Sequence, residues 1–565
     1  MSSYYTLIRL LSPNKMYRLN YVIIITALFA THYLTSQNTI GTVLNTPQAF
    51  DGLTLITPNS NEIPNFTYLI NNCGEIVNQW ESDFKGQGAD IITTTGDLYR
   101  GAFDDNSTLN YAGNNGRLER YNWDGDLTWS LTYSEENFSF HHDYYVLDNG
   151  NILLLVAERK GLEAAIDAGR DPSTLIQDDL YTEKIIEIEP INENDFNIVW
   201  EWDFWDHLIQ NFDSTKNNFG VISEHPEKLN INFVGLSNNI ADWIHLNSID
   251  YNKDVDQILI SSRFTSEFYI IDHSTNSTEA SGSFGGNSNK GGDFLYRWGN
   301  PQAYNQGNEE NQQLFGQHSV HWTNSTNENF GKILLFNNGL TRGYSNVVLI
   351  DTPDTDDNGN YPIIPNEAFL PLNLNIVYEA NPKQDFFAPF LSSAYELENG
   401  NFLINNGPIG ETFEVDSQGL KVWSYISPIT VTNGTLSQGD SPPGINARFF
   451  RTRKYILDYE GFEGRDLTSS GYLENNPQPE NCDTLSTPMV KDSTNLSKLY
   501  PNPTNGSFVI ESFNEILSTQ VYNLQGRLII SSNKNQLDLT NYADGIYIVV
   551  IKTSNETERI KLIKK

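Results

Sequence analysis

Nine histidines occur in 565 residues, and five of them fall where an apolar, strand-like stretch begins. His141 and His142 open "HHDYYVLDNGNILLL", His245 stands in "DWIHLNSIDYN", and His318 and His321 share "GQHSVHW". Arg263 follows on the next strand, in "ILISSRF". Three or more imidazoles around one guanidinium would suit a tetrahedral oxyanion. Arginine donates from a fixed fork, and histidine can donate, shuttle a proton or attack. No serine or cysteine stands in a nucleophile elbow, and there is no glycine-rich phosphate loop. Histidine is the best nucleophile on offer, and neither a cofactor nor a metal is expected.

Such a site exists only if the fold brings these segments together. Turn signals divide the chain into recurring units: an apolar strand, an "NG" or "DG" turn, a second strand, then one ending in an aromatic residue. Six units are readable, with Trp80, Trp129, Trp202, Trp298 and Trp423 closing five of them and "NIVYEA" closing the other. A four-stranded sheet buries its faces by stacking radially on neighbours, so the pattern predicts an all-β, six-bladed β-propeller. A β-sandwich or β-helix is the alternative, but the units are too long for β-helix coils. The innermost strand of each blade lines the channel, so the five histidines would converge on one axis. The tryptophans are read as blade packing. His207, His225 and His273 fall in loops or outer strands and are read as solvated, and His321 as packing beside His318.

Composition agrees with a strand-rich chain: 12% aromatic, with abundant Asn, Asp and Gly for turns. A net charge of −36 argues against nucleic-acid partners and means that an anion site must carry its own cations. The two cysteines, Cys73 and Cys482, lie far apart without metal-ligand spacing, so neither a zinc site nor a disulfide framework is expected. The loop Asp351–Gly359 opens like a calcium loop but places Pro365 where the ligating glutamate belongs.

Residues 1–36 follow the order of a secretory signal, with Lys15 and Arg18 before an apolar run from Tyr21 to about Leu34. Met16 is a second candidate start. The run falls short of a bilayer span, so no stable membrane span is expected after processing. The predicted catalytic propeller covers 37–474, a polar, proline-rich linker covers 475–496, and period-two alternation over 497–565 predicts a small β-sandwich.

That tail, through "YPNPTNG", "VYNLQGR", "LTNYADGIYIV" and its basic end, resembles the type A C-terminal sorting domain of the type IX secretion system. The resemblance implies the type IX machinery as a partner and a secreted or surface-attached product reached through the periplasm. The fragments "HHDYYVLDNGNILLL", "DWIHLNSIDYN", "ILISSR", "GQHSVHW" and "INARFFRTRKY" resemble the bacterial arylsulfate sulfotransferases, in order over roughly Gln48 to Tyr459. This implies nucleotide-independent, two-step transfer from a phenolic sulfate donor to a phenol acceptor through a sulfohistidine. His318 in "GQH" would be the nucleophile, His245 and Arg263 would hold the sulfuryl oxygens, and one of His141 or His142 would assist or protonate the leaving phenolate. Asn247 matches a position the family uses for the sulfate. The alternative is a non-catalytic secreted or surface propeller serving in binding or adhesion. A sulfatase or lyase on the same scaffold is a third reading.

Overall fold

The computed structural model describes residues 38–104, 109, 111–323, 329–479, 482, 497–512, 516–523, 527–553 and 557–565. The expected signal peptide and most of the expected linker lie outside the described residues. The chain divides into two compact units, within 1–485 and 486–565.

The first unit holds six antiparallel sheets, each ordered from an inner strand to an outer one. The inner strands are Ile91–Ile92 in blade 2, Phe138–Val146 in blade 3, Leu246–Asn252 in blade 4, His318–Trp322 in blade 5 and Ser393–Glu396 in blade 6. Blade 1 takes its inner strand from the far end of the unit: Arg453–Ile456 pairs with Gly52–Ile56. The N-terminal strand Gly41–Asn45 in turn adds a fifth strand to blade 6, against Lys421–Ile426. Closure from both ends leaves no blade with an unpaired partner at the seam, which removes the edge hazard of an open array. The predicted propeller is therefore present, with a two-way seam that the repeat pattern did not reveal.

Each feature follows from local chemistry. The first hairpins of blades 2, 3 and 6 turn at Gly96, Gly150 and Gly400, all with φ between 83° and 89°, a region that side chains resist. Between blades 4 and 5, Leu259, Phe268, Ile270, Leu335, Val348 and Ile350 pack together out of water, at about 1.5–3 kcal/mol per side chain buried. Inner-strand N–H groups facing the preceding blade find carboxylates and hydroxyls: Ile249 N donates to Asp143, Val320 N to Ser248 and Trp322 N to Asp250.

The terminal tryptophans lock neighbouring blades. Trp80 donates its indole N–H to Asn122 O, Trp129 to Asn192 O, Trp202 to Gly292 O and Trp298 to Pro371 O, at 2.7–2.9 Å. Trp423 closes the ring by donating to Asn72 O of blade 1 at 2.8 Å. Blade 5 substitutes Tyr378, whose ring packs on Phe386 and Phe413.

Three sequence expectations need correction. Cys73 and Cys482 form a disulfide across 409 residues of chain; ring closure brings the far segment to the first blade, which spacing cannot show. His207 is not solvated but buried, bonded to Asp293 and to Ala280 O and stacked on Trp202. His273 is half-buried between Asp256 and Glu187. His225, by contrast, is exposed beside Glu227. In the acidic loop, Asp356 Oδ1 accepts from the backbone N–H of Asn358 and Asn360, an internal turn.

The second unit is a sandwich of a three-stranded and a four-stranded sheet. Alternate residues of Gly545–Thr553, among them Tyr547, Val549 and Ile551, point into a core with Phe508, Val521 and Leu562, as period-two alternation predicts.

Candidate active site

Blades 3 to 5 repeat one local device, within the inner strand in blade 3 and at its start in blades 4 and 5. His142, His245 and Ser319 have φ of 51°, 55° and 54°, and strand pairing shifts register nearby, between Leu154 and Val156, Leu246 and Ser248, and His318 and His321. A bulge with a left-handed residue bends the strand and re-aims its side chains. Here it collects imidazoles from three blades at one level of the channel.

The rings of His142 and His245 lie 4.7 Å apart, edge to face. Phe450 stands between His142 and His318, 5.8 Å from the first and 6.4 Å from the second. Arg263, just past the end of its strand, has its backbone N–H on His245 O at 3.0 Å, and its guanidinium lies over the Phe264 ring at 5.2 Å. Its charge acts on both His318 and His142. His141, His142, His245, Arg263 and His318 thus form one cluster.

Each imidazole is oriented by a different partner. His318 Nδ1 meets Asn338 Oδ1 at 2.7 Å, while Asn338 Nδ2 donates to Ala388 O and Leu391 O. Those two bonds fix which end of the amide faces the ring, so Nδ1 carries the proton and Nε2 keeps its lone pair. His245 Nδ1 sits 2.6 Å from Asp242 Oδ2, and its ring is stacked on Tyr111 at 5.4 Å. His141 is wholly enclosed: Nε2 is 2.7 Å from Glu183 and Nδ1 is 2.9 Å from His142 Nδ1. His142, held from behind in this way, is the one of the pair that faces His245.

Burial, then the Arg263 charge, hold His318 well below the ordinary histidine range, against the Asn338 bond, which acts the other way. His142 is lowered likewise, first by burial and then by the neighbouring imidazoles. Both rings are neutral at neutral pH. Tyr111 is pushed well above the ordinary tyrosine range by burial beside Asp242 and Glu183, so its hydroxyl stays protonated and donates to Glu183. Burial lowers Arg263, and its Nε has no partner.

Asn247 is fully buried, with Nδ2 donating to Gln317 O at 2.7 Å. The bulge at this point breaks the simple alternation that would have placed it on the His245 face. His321 bonds Ser319 O, packs on Tyr395 at 4.6 Å and stands further along the channel, away from the cluster. Sequence reasoning missed Tyr111, Glu183, Asp242 and Asn338. Only Asp242, three residues before His245, offered a local signal.

The family profile described as Arylsulfotransferase (ASST) matches residues 42–427, which include strands of all six blades but not the Arg453–Ile456 strand of blade 1. The chain belongs to the arylsulfotransferase family. A second profile, Secretion system C-terminal sorting domain, matches residues 498–565, so the arylsulfotransferase is marked for type IX export to the cell surface or beyond. Among the described residues, no helix is long and apolar enough to cross a membrane. No curated protein matches the chain. Similar solved structures include a protein of unknown function from Bacteroides caccae, at 13% identity and TM-score 0.34, covering 66% of this chain and 93% of that one. The β-propeller domain of Myceliophteria thermophila Cps50 (Swd1) shows 8% identity and TM-score 0.33, covering 71% and 90%. Virginiamycin B lyase from Staphylococcus aureus shows 8% identity and TM-score 0.29, covering 67% and 86%.

Proposed function

We propose that this arylsulfotransferase moves a sulfuryl group from a phenolic sulfate ester to a second phenol through a sulfohistidine on His318. The observation that carries the reading is the His318–Asn338 bond, which leaves Nε2 with a free lone pair inside a cluster of cation and imidazoles. A carboxylate partner suits an imidazole that grips an anion, as Asp242 does for His245. An amide partner suits one that attacks as the neutral base.

His318 Nε2 attacks sulfur in line. The N–S bond forms as the S–O bond to the aryl group breaks, and the electron pair leaves on the phenolate oxygen. Arg263 and His245 meet the sulfuryl oxygens, where preorganised donors stabilise the charge of the transition state. One proton is shared between the two Nδ1 atoms of His141 and His142. When His141 supplies it, His142 presents Nε2–H to the leaving phenolate. In the second half the acceptor phenol returns that proton, its oxygen attacks sulfur, and the N–S bond breaks. Donor and acceptor are both phenols, so the two halves face similar barriers.

Replacing His318 with Asn should abolish nitrophenol release from 4-nitrophenyl sulfate in the presence of phenol, with an unchanged circular dichroism spectrum. Intact mass after mixing wild type with donor alone should show one added SO3 on the His318 peptide. Release that persists in the variant refutes the assignment, and turnover that ignores added phenol makes the enzyme a hydrolase.

A further inference from the structure

Beyond the imidazoles the axial channel continues as a separate cavity of about 1440 Å³. All six inner strands contribute to its wall, which begins at Asp143, Ile249 and Ser319 and runs away from His142, His245 and His318. An ion pair stands at the boundary: Arg451 Nη2 meets Asp143 Oδ2 at 2.8 Å and reaches the Asn247 carbonyl at 3.4 Å. None of His141, His142, His245, Arg263 and His318 lines this cavity.

Arg453 lies in its wall, and its situation is unlike that of its neighbours. Arg451 is paired with Asp143, and Lys454 with Glu414 at 3.2 Å where both side chains are fully enclosed. Among the described residues, Arg453 has no carboxylate within ion-pair distance and its guanidinium makes no hydrogen bond; its Nε is buried and unpartnered. Asp250 feels its charge but is a poor counter-ion: burial raises that carboxyl to about 7, and its Oδ2 accepts from Trp322 N at 2.8 Å. The guanidinium lies over the ring of Tyr395 at 4.7 Å, and Tyr145 and Tyr455 also line the cavity.

A guanidinium holds its N–H donors in a planar fork that matches two oxygens of a carboxylate or sulfate. Leaving that fork unpaired at low exposure is unfavourable unless something else meets it. The cavity wall also carries carboxylates, among them Asp97, Asp148, Glu189 and Glu398, so the unpaired fork of Arg453 beside the tyrosine rings, and not the net charge of the wall, is what would hold an anion there. We propose that this cavity is a second ligand site that takes an aromatic monoanion, with its oxyanion on Arg453 and its ring against Tyr395. The site is independent of the sulfuryl-transfer chemistry proposed above.

Calorimetric titration of the full-length His318→Asn variant with sodium benzoate, sodium phenyl sulfate and sodium acetate, at constant ionic strength, tests this. Removing His318 as nucleophile keeps the transfer reaction out of the measurement. Benzoate should bind saturably at one site, more tightly than acetate, and phenyl sulfate at two, this one and the transfer site; Arg453→Gln should weaken benzoate binding, and one of the two phenyl sulfate sites, by at least about tenfold. Equal benzoate affinity in the Arg453→Gln background overturns the proposal, as does the absence of saturable binding by either aromatic anion. Benzoate binding lost in Arg263→Gln but kept in Arg453→Gln places the anion at the transfer site and also overturns it. Should Arg453→Gln fail to fold, Arg453→Lys keeps the charge without the fork, and unchanged affinity there is equally decisive against the site.

Discussion

His318 donates its Nδ1 proton to Asn338 Oδ1 at 2.7 Å, from the inner strand of blade 5 to the residue just past the end of the next strand, twenty residues on. The acceptor cannot rotate away, because its own amide hydrogens are held by Ala388 O and Leu391 O. A neutral, fixed partner orients the ring without lending it charge. That distinguishes His318 from His245, whose partner is a carboxylate.

Asn338→Leu should therefore lower kcat by about 10- to 100-fold with little change in KM, since it frees the tautomer but removes no contact to substrate. Asn338→Asp should preserve orientation while adding a charge that raises the His318 pKa. Steady-state rates with 4-nitrophenyl sulfate, measured against pH, separate the two effects. A merely structural asparagine would lower stability in both variants without moving the pH profile.

In the proposed reaction His318 must be unprotonated to attack, and its folded pKa lies well below the usual 6.5. Activity is thus present above the depressed value and lost as pH falls through it. The acid limb of kcat/KM, which reports the free enzyme, should fall clearly below pH 6.5. Arg263→Gln removes one cause of the depression and should move that limb upward, besides lowering the rate. An acid limb at or above 6.5 in the wild type contradicts the assignment.

Trp423→Phe removes the indole bond to Asn72 O that fastens blade 6 to blade 1 and leaves a gap at a fully buried position. The expected loss is about 2–4 kcal/mol by chemical denaturation. The same change at the half-buried Trp129 should matter less. Equal losses at both positions would mean that ring closure is secured elsewhere.

His273 bridges Asp256 at 2.7 Å and Glu187 at 2.9 Å. Burial alone would depress it, but the two carboxylates outweigh that and raise it to about 9. A raised folded pKa stabilises fully below the unfolded value of about 6.5, and the contribution fades as pH rises through about 9. His273→Gln should lower stability by about 2–3 kcal/mol at pH 6, with a gap to wild type that narrows toward pH 9–10. Denaturation midpoints across that range measure it, and a gap that stays constant with pH would show that the loss is packing alone.

Strand and turn patterning is local, because side chains alternate every second residue and hairpins demand particular residues at the bend. The six blades, their closing tryptophans and the C-terminal sandwich were therefore legible from the chain alone, as was the recurrence of histidines at one point of the unit. Partners are another matter. Asn338, Glu183, Asp242 and Tyr111 are common residue types at unremarkable positions, and what makes them orient imidazoles is the stacking of one blade on the next. The seam formed by Arg453–Ile456 and Gly41–Asn45, the Cys73–Cys482 disulfide and the burial of His207 likewise depend on contacts between segments far apart in sequence. Bulges at His142, His245 and His318 decide which side chains face the channel, and a bulge breaks the very alternation from which facing is read. Only the closed ring sets those neighbours, because burial and pairing belong to the space between blades and not to the order of residues along one.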